Sequence, residues 1–307
     1  MARQANRGEH ALQWSFSRRE ALERCPRAYY YHYYGASLRS AKADPLKPTL
    51  RFLKRLQSRY LRSGDLAHLV IRTYLKHVRA GEAWSRERVL NWARTLYRQD
   101  CQFSQQYRRG DALPEDPRAP VLLLEFYYSG ENALSQWEET EQRLIAALDH
   151  FMTSPELTHF RSKGETGEAL IEKPVAVRGS GFAFRGQMDL AYRDEGRVVV
   201  VDWKTGGSQS TGESLQLLSY ALAALQEFSC TTSDINLYRI HLAETVVIPF
   251  SVSEHAVEKA RARIVQDLER MQMIDSYGRE GVSEAFTPCG QPRICAQCAF
   301  QEICPKE

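Results

Sequence analysis

Four consecutive valines at 198–201, with Arg197 before them and Asp202-Trp203-Lys204 after, constrain this 307-residue chain more than any other stretch. A continuous β-branched run with no polar alternation reads as a strand buried on both faces, the kind found in the middle of an α/β core. The segments around it agree. Residues 169–177 and 181–192 read as strands, and the turn Asp194-Glu195-Gly196 joins the second to the valine strand as a hairpin. Beyond it, residues 215–228 read as a helix, 235–241 and 245–250 as a hairpin pair, and 253–275 as a long helix capped by Ser253.

The N-terminal third is mainly helical by pattern. Residues 17–34 read as one helix opened by a capping box of Ser17 and Glu20, followed by helices over 50–78 and 82–107. A Pro-rich stretch, 113–120, separates these from a short apolar run at 121–128 of strand type, and helical spacing returns at 137–152. There is no internal repeat.

A chain that is 43% apolar and 26% charged has the composition of a globular protein. No run approaches the roughly 18 apolar residues of a membrane span, and the start Met1-Ala2-Arg3-Gln4 is polar, so the expectation is a cytoplasmic protein with no membrane partner. The net charge of +3 hides an asymmetry: residues 1–109 carry 23 Lys/Arg against 8 Asp/Glu, and the remainder 18 against 30. The basic part is either a phosphate-binding surface or a set of solvated helix faces.

Seven cysteines, an odd number without an export signal, argue against a disulfide framework. Four of them, Cys289, Cys295, Cys298 and Cys304, fall in the last 19 residues, a clustering that points to metal. The pattern Cys295-x2-Cys298-x5-Cys304-Pro305 supplies three thiolates and leaves one position open. Cys289 fills it locally, as in a zinc knuckle; Cys25 fills it from the far end of the chain. Cys101 and Cys230, in apolar surroundings, read as inert thiols.

Asp189 falls inside one strand and Asp202 at the end of the next. Adjacent antiparallel strands can hold two carboxylates within a few ångströms, where like charges are costly unless a divalent cation lies between them. Lys204, two residues past Asp202, points to the same side of the strand and can orient a water and offset charge growing on an attacked phosphate. Two carboxylates with water and phosphate oxygens suit Mg²⁺ or Mn²⁺.

With Gly186-Gln187-Met188-Asp189 and Asp202-Trp203-Lys204 in place, the chain resembles the PD-(D/E)xK nuclease superfamily, and within it the RecB-like branch, although Met188 stands where the motif has Pro. Gln216-Leu217-Leu218-Ser219-Tyr220 is similar to that branch's Gln-x-x-x-Tyr helix, and His68 stands in the place of its upstream histidine. Cys25-Pro26 with the C-terminal three-cysteine tail is similar to the signature of a [4Fe–4S] cluster shared by AddB-like subunits, single-strand exonucleases and CRISPR adaptation nucleases.

The resemblance implies a restriction-endonuclease-like α/β fold: a mixed sheet core flanked by helices, with a helical N-terminal elaboration and a C-terminal cysteine cluster. It divides the chain into a basic helical region over 1–120, a nuclease core over 121–280 and a cysteine tail over 281–307 that packs back on the N-terminus. His68, Asp189, Asp202 and the carbonyl of Trp203 are the implied ligands of Mg²⁺ or Mn²⁺. Lys204 orients the attacking water, Gln216 and Tyr220 support the site, and Cys25, Cys295, Cys298 and Cys304 bind the cluster. Glu172 either faces the same site or is a solvated strand residue.

The implied activity is metal-dependent cleavage of DNA that leaves 5′-phosphates. Single-stranded DNA or single-stranded ends in repair or recombination are the implied substrate, with a helicase, recombination or CRISPR protein as partner. A CRISPR adaptation-type nuclease, a non-catalytic DNA-binding subunit of the same fold and a zinc-stabilised interaction module are the alternatives. The run Tyr29 to Tyr34 beside Arg18, Arg19, Arg24 and Arg27 either stacks bases of a single strand or packs on the core.

Overall fold

The computed structural model describes residues 12–37, 45–130, 134–179, 182–206 and 215–305; the polar start at residues 1–4 and Gly181 lie outside the described residues. One mixed sheet carries five strands, β1 (Leu170–Gly179), β2 (Phe182–Asp194), β3 (Arg197–Lys204), β4 (Ile235–His241) and β5 (Val246–Phe250), side by side in chain order. The pairs β1/β2, β2/β3 and β4/β5 are antiparallel, whereas β3 and β4 run parallel. A parallel neighbour needs a crossover connection, which carries a helix here. The valine strand β3 is the central one, as its sequence demands.

The helices before the sheet are α1 (Phe16–Arg24), α2 (Pro26–Tyr30), α3 (Lys47–Leu53), α4 (Arg59–Arg79), α5 (Arg86–Gln106), α6 (Leu124–Ser129), α7 (Leu134–Thr153) and α8 (Pro155–Glu165). The crossover helix is α9 (Leu215–Glu227), and α10 (Glu254–Glu280) and the short α11 (Pro292–Cys295) follow. Alternate valines of β3 face opposite layers. Val199 and Val201 join a core built with α4, α5, α7 and α8. Val198 and Val200 join one built with α9, α10, the tyrosines after Cys25, Phe286 and Phe300. The architecture is therefore the expected α/β sandwich, a mixed sheet with helices on both faces.

Several local expectations are corrected. The helix expected over 17–34 is two helices, because Cys25 is extended (φ −163°, ψ 108°), the conformation a following proline favours. Its cap is Ser15, whose hydroxyl accepts from Arg18 N at 3.2 Å, and not Ser17. Cys25 Sγ in turn accepts from Ala28 N at 3.5 Å and caps α2. The helix expected over 50–78 is interrupted: Gln57 leaves the helix to exchange backbone hydrogen bonds with Leu122 and Leu124, and Ser58 starts α4 afresh. The strand expected at 121–128 is reduced to a single bridge at Leu123, after which the chain turns into α6. There Glu125 receives the Arg59 N–H at 3.0 Å and satisfies the start of α4. An apolar run this short fits either period, and Glu125 decides for the helix by capping its neighbour.

The tyrosine run packs on the core. Tyr29, Tyr30, Tyr31 and Tyr34 are buried, and Phe286, itself 0% exposed, lies among the rings of Tyr29, Tyr30 and Tyr34 at 5.0–6.4 Å. The Arg18 guanidinium lies over Tyr29 and Tyr33. Four of the six rings are thus closed to DNA.

Candidate nuclease site

Three elements converge beside the C-terminal half of β3. Asp189, on β2, is 7% exposed and accepts a hydrogen bond from Trp203 N at 2.8 Å, which locks the carboxylate against the end of β3. His68, on α4, comes within 3.5 Å of Asp189 Oδ1 and 2.9 Å of Glu172 Oε1 on β1. The ligand atoms of His68, Glu172 and Asp189 all lie within 4.8 Å of one another. The alternative left open for Glu172 resolves toward the site. Its backbone is in the left-handed region (φ 48°) inside a strand, whereas the other non-glycine residues of this kind among the described residues lie in turns. Such a residue costs of order 1–3 kcal/mol, and the strain falls at this site.

Asp202, 1% exposed, stands on the adjacent strand between two cations. Lys204 Nζ donates to its Oδ1 at 3.0 Å, as the period-two spacing requires, and Arg239 Nε lies 3.6 Å from its Oδ2. From Lys204 a chain of hydrogen bonds continues to α9: Nζ donates to Gln216 Oε1 at 3.0 Å, and Gln216 Nε2 donates to Tyr220 OH at 3.0 Å. The ring of Tyr220 packs against Gly186 of β2, where an added Cβ would stand 3.1 Å from Cε1. Of the expected ligands, His68 and Asp189 stand together with Glu172, whereas Asp202 is not part of that group, and Trp203 meets Asp189 through its N–H, not through the carbonyl expected to bind metal.

Arg239 was not among the expected residues, and its signal is a charge at the inward parity of an apolar strand, Leu237-x-Arg239-x-His241. Opposite Asp202 in the parallel register, it holds a positive charge that the burial of Asp202 demands.

The electrostatics fit a divalent cation. Burial, with Asp202 and Glu172 adding to it against the opposing pull of His68, raises the Asp189 carboxyl to about 7. Burial works against the charge on His68, yet the carboxylates of Asp189 and Glu172 more than offset it and raise the imidazole to about 9. Asp202 Oδ2 is a buried oxygen with no hydrogen-bond partner. Hard oxygens plus one imidazole, arranged so that protons now hold the repulsion in check, suit Mg²⁺ or Mn²⁺.

A second site lies at the chain ends. Cys25, Cys289, Cys295, Cys298 and Cys304 line one cavity of about 1040 Å³. Burial pushes the Cys298 thiol up to about 11, with Cys25, Cys304 and Cys295 adding to the rise. Phe300 N donates to Cys298 Sγ at 3.4 Å. N–H···S bonds and an apolar surround are what thiolate-held clusters use, so the donor set fits an iron–sulfur group. Among the described residues no three thiol sulfurs lie within 4.8 Å of one another.

Among the described residues no helix is long and apolar enough to cross a membrane. No curated protein matches the chain. The crystal structure of SSO0001 is similar over 70% of this chain and 96% of its own length, at 16% identity and a TM-score of 0.33. A family model described as "PD-(D/E)XK nuclease superfamily" matches residues 13–305. That span runs from the buried Trp14 through both acidic strands and the crossover helix to the last cysteine. Superfamily membership implies DNA binding and metal-dependent phosphodiester cleavage. The chain belongs to the PD-(D/E)XK nuclease superfamily.

Proposed function

We propose that the protein is a RecB-like, iron–sulfur-bearing DNA nuclease acting on single-stranded DNA or single-stranded ends in repair or recombination, in the reducing cytoplasm. The observation that carries the reading is the unbroken chain Asp202–Lys204–Gln216–Tyr220 beside the His68–Glu172–Asp189 group. The Gln-x-x-x-Tyr helix is the branch's own signature, and here it fixes the lysine. The basic N-terminal third supplies the charge that a phosphate backbone needs.

His68, Glu172, Asp189 and Asp202 would hold Mg²⁺ or Mn²⁺, which would supply a water of lowered pKa and neutralise charge on the scissile phosphate. Lys204, hydrogen-bonded on both sides, presents its ammonium without reorganisation to the charge that develops on the phosphoryl oxygens. Gln216 sets the direction of that ammonium, and Tyr220, seated on Gly186, sets the direction of Gln216. Cys25, Cys295, Cys298 and Cys304 would hold a [4Fe–4S] cluster, tying the N-terminal helices to the tail.

The test is anaerobic purification followed by a visible spectrum, iron analysis and degradation of labelled single-stranded DNA with and without Mn²⁺, for the native chain and Lys204→Met. Brown, iron-bearing protein that degrades DNA only with Mn²⁺ and loses turnover in Lys204→Met supports the reading. Full activity in Lys204→Met removes it.

A further inference from the structure

The cavity at the chain ends carries five thiols, one more than the cluster proposed above takes up, and the surplus one is Cys289. Its Sγ stands 3.9 Å from that of Cys295. A short loop joins the two, turning at Gly290 (φ 61°) with Pro288 and Pro292 on either side, and Pro292 opens α11, which ends at Cys295. Both cysteines are half-buried and line the cavity. The neighbouring thiols are otherwise placed: Cys25 is buried as the cap of α2, and Cys298 Sγ accepts from Phe300 N at 3.4 Å. Cys289 and Cys295 face each other at this distance on the cavity wall, with only five residues between them. A disulfide has an S–S distance of about 2.0 Å, so closure asks for movement of about 1.9 Å, within the reach of side-chain rotation on a loop.

We infer that Cys289 and Cys295 form a reversible disulfide when the cavity is without metal, withdrawing Cys295 from the ligand set and shielding its sulfur. The inference rests on the cluster reading for its consequence. A peroxide is the oxidant. The Cys295 thiolate attacks one oxygen of hydrogen peroxide, breaking the O–O bond and giving a sulfenic acid, with the hydroxide leaving as water after taking a proton. The Cys289 thiolate then attacks the sulfenic sulfur, the S–S bond forms, and the second oxygen leaves as water. Two thiols and one peroxide give one disulfide and two waters: the sulfurs lose two electrons and the peroxide gains them. A dithiol reverses the step by exchange. Without Cys289, the sulfenic acid at Cys295 is open to further oxidation to sulfinic acid, which dithiols do not reduce.

The experiment uses the full chain, stripped of metal by a chelator under reductant, freed of both by gel filtration, and treated with hydrogen peroxide in excess of two equivalents per thiol. Remaining thiols are alkylated, and the sample is digested with trypsin without reduction. Arg293 lies between the two cysteines, so residues 280–293 and 294–306 are released as separate peptides unless a disulfide joins them. The expected result is a linked pair, with fragmentation placing the bond on Cys289 and Cys295. In Cys289→Ser the link is absent and Cys295 carries sulfinic acid. After dithiothreitol, native protein regains its full iron content on incubation with ferrous iron and sulfide, whereas peroxide-treated Cys289→Ser regains less than half. Free Cys289 after peroxide, or a link from it to Cys298, Cys304 or Cys25, overturns the inference and leaves the cluster reading intact. Failure of untreated Cys289→Ser to take up iron, with normal uptake by Cys25→Ser, overturns both, because Cys289 is then the ligand.

Discussion

Metal binding at the His68–Glu172–Asp189 group has to expel protons, and the amount fixes a steep pH dependence. With His68 at about 9 and Asp189 at about 7, both groups hold protons at pH 6, and the divalent ion needs the imidazole neutral and the carboxylate charged. At pH 6 the competition from His68 weakens apparent affinity by about 10³ and that from Asp189 by about 10; at pH 8 the factors are about 10 and about 1. The sign is therefore a gain with rising pH, on the order of 10²–10³ in apparent affinity from pH 6 to 8, or about 3–4 kcal/mol, levelling off above pH 9. The assay is titration of metal-free protein with Mn²⁺, following the free-ion electron paramagnetic resonance signal, with proton release counted calorimetrically in two buffers of different ionisation enthalpy. His68→Ala should weaken binding and flatten the slope between pH 7 and 9. An affinity that changes less than about threefold between pH 6 and 8 would refute the reasoning, because neither group could then be exchanging its proton for metal.

Lys204→Met should lower the turnover of single-stranded DNA by about 10²–10³ while Mn²⁺ affinity stays within a few-fold, measured by pre-steady-state cleavage and by the same titration. In Gly278→Ala, the new Cβ would stand 2.7 Å from three ring atoms of Tyr34, whose hydroxyl is tied to Asp275 at 2.8 Å and whose ring packs on Phe286. The helix-propensity gain of about 1 kcal/mol is outweighed by overpacking of about 1–3 kcal/mol, so Tm falls by a few degrees; an unchanged or higher Tm in calorimetry contradicts this. Asp267→Ala should destabilise by about 2–4 kcal/mol in urea titration, because buried Asp267 accepts from Trp14 Nε1 and pairs with Arg19 and Arg263, each at 3.0 Å, leaving a buried indole N–H unpaired.

The parts of the fold written in local pattern are the ones the sequence displays. The valine run announces β3, and the spacing from Asp202 to Lys204 and from Gln216 to Tyr220 announces side chains on one strand face and one helix face. What joins those two faces, the Lys204–Gln216 hydrogen bond across 12 residues, is tertiary and became legible only through the family resemblance. The losses have physical causes. Cys25 breaks its helix because proline follows, a rule visible in the sequence but outweighed there by the strong helical texture on both sides. Glu125 caps a helix 66 residues away, a partner that no window contains. Arg239 reads as a strand charge until the parallel register sets it against Asp202. Glu172 reads equally as a site residue or a solvated one until the β1/β2 pairing brings it to Asp189 and His68.

Phe286 closes the aromatic pocket of Tyr29, Tyr30 and Tyr34, while Arg27 donates to its carbonyl at 2.7 Å, so α1 and α2 are completed by a residue far along the chain. At about 5–20 residues per second, the 261 residues from Cys25 to Phe286 take roughly 13–52 s to synthesise. Through that interval α1 and α2 lack their partner, and β4, which carries Arg239 against Asp202, has yet to emerge for most of it. The nascent chain thus carries the rings of Tyr29, Tyr30 and Tyr34 without their Phe286 cover until the segment after α10 has been made.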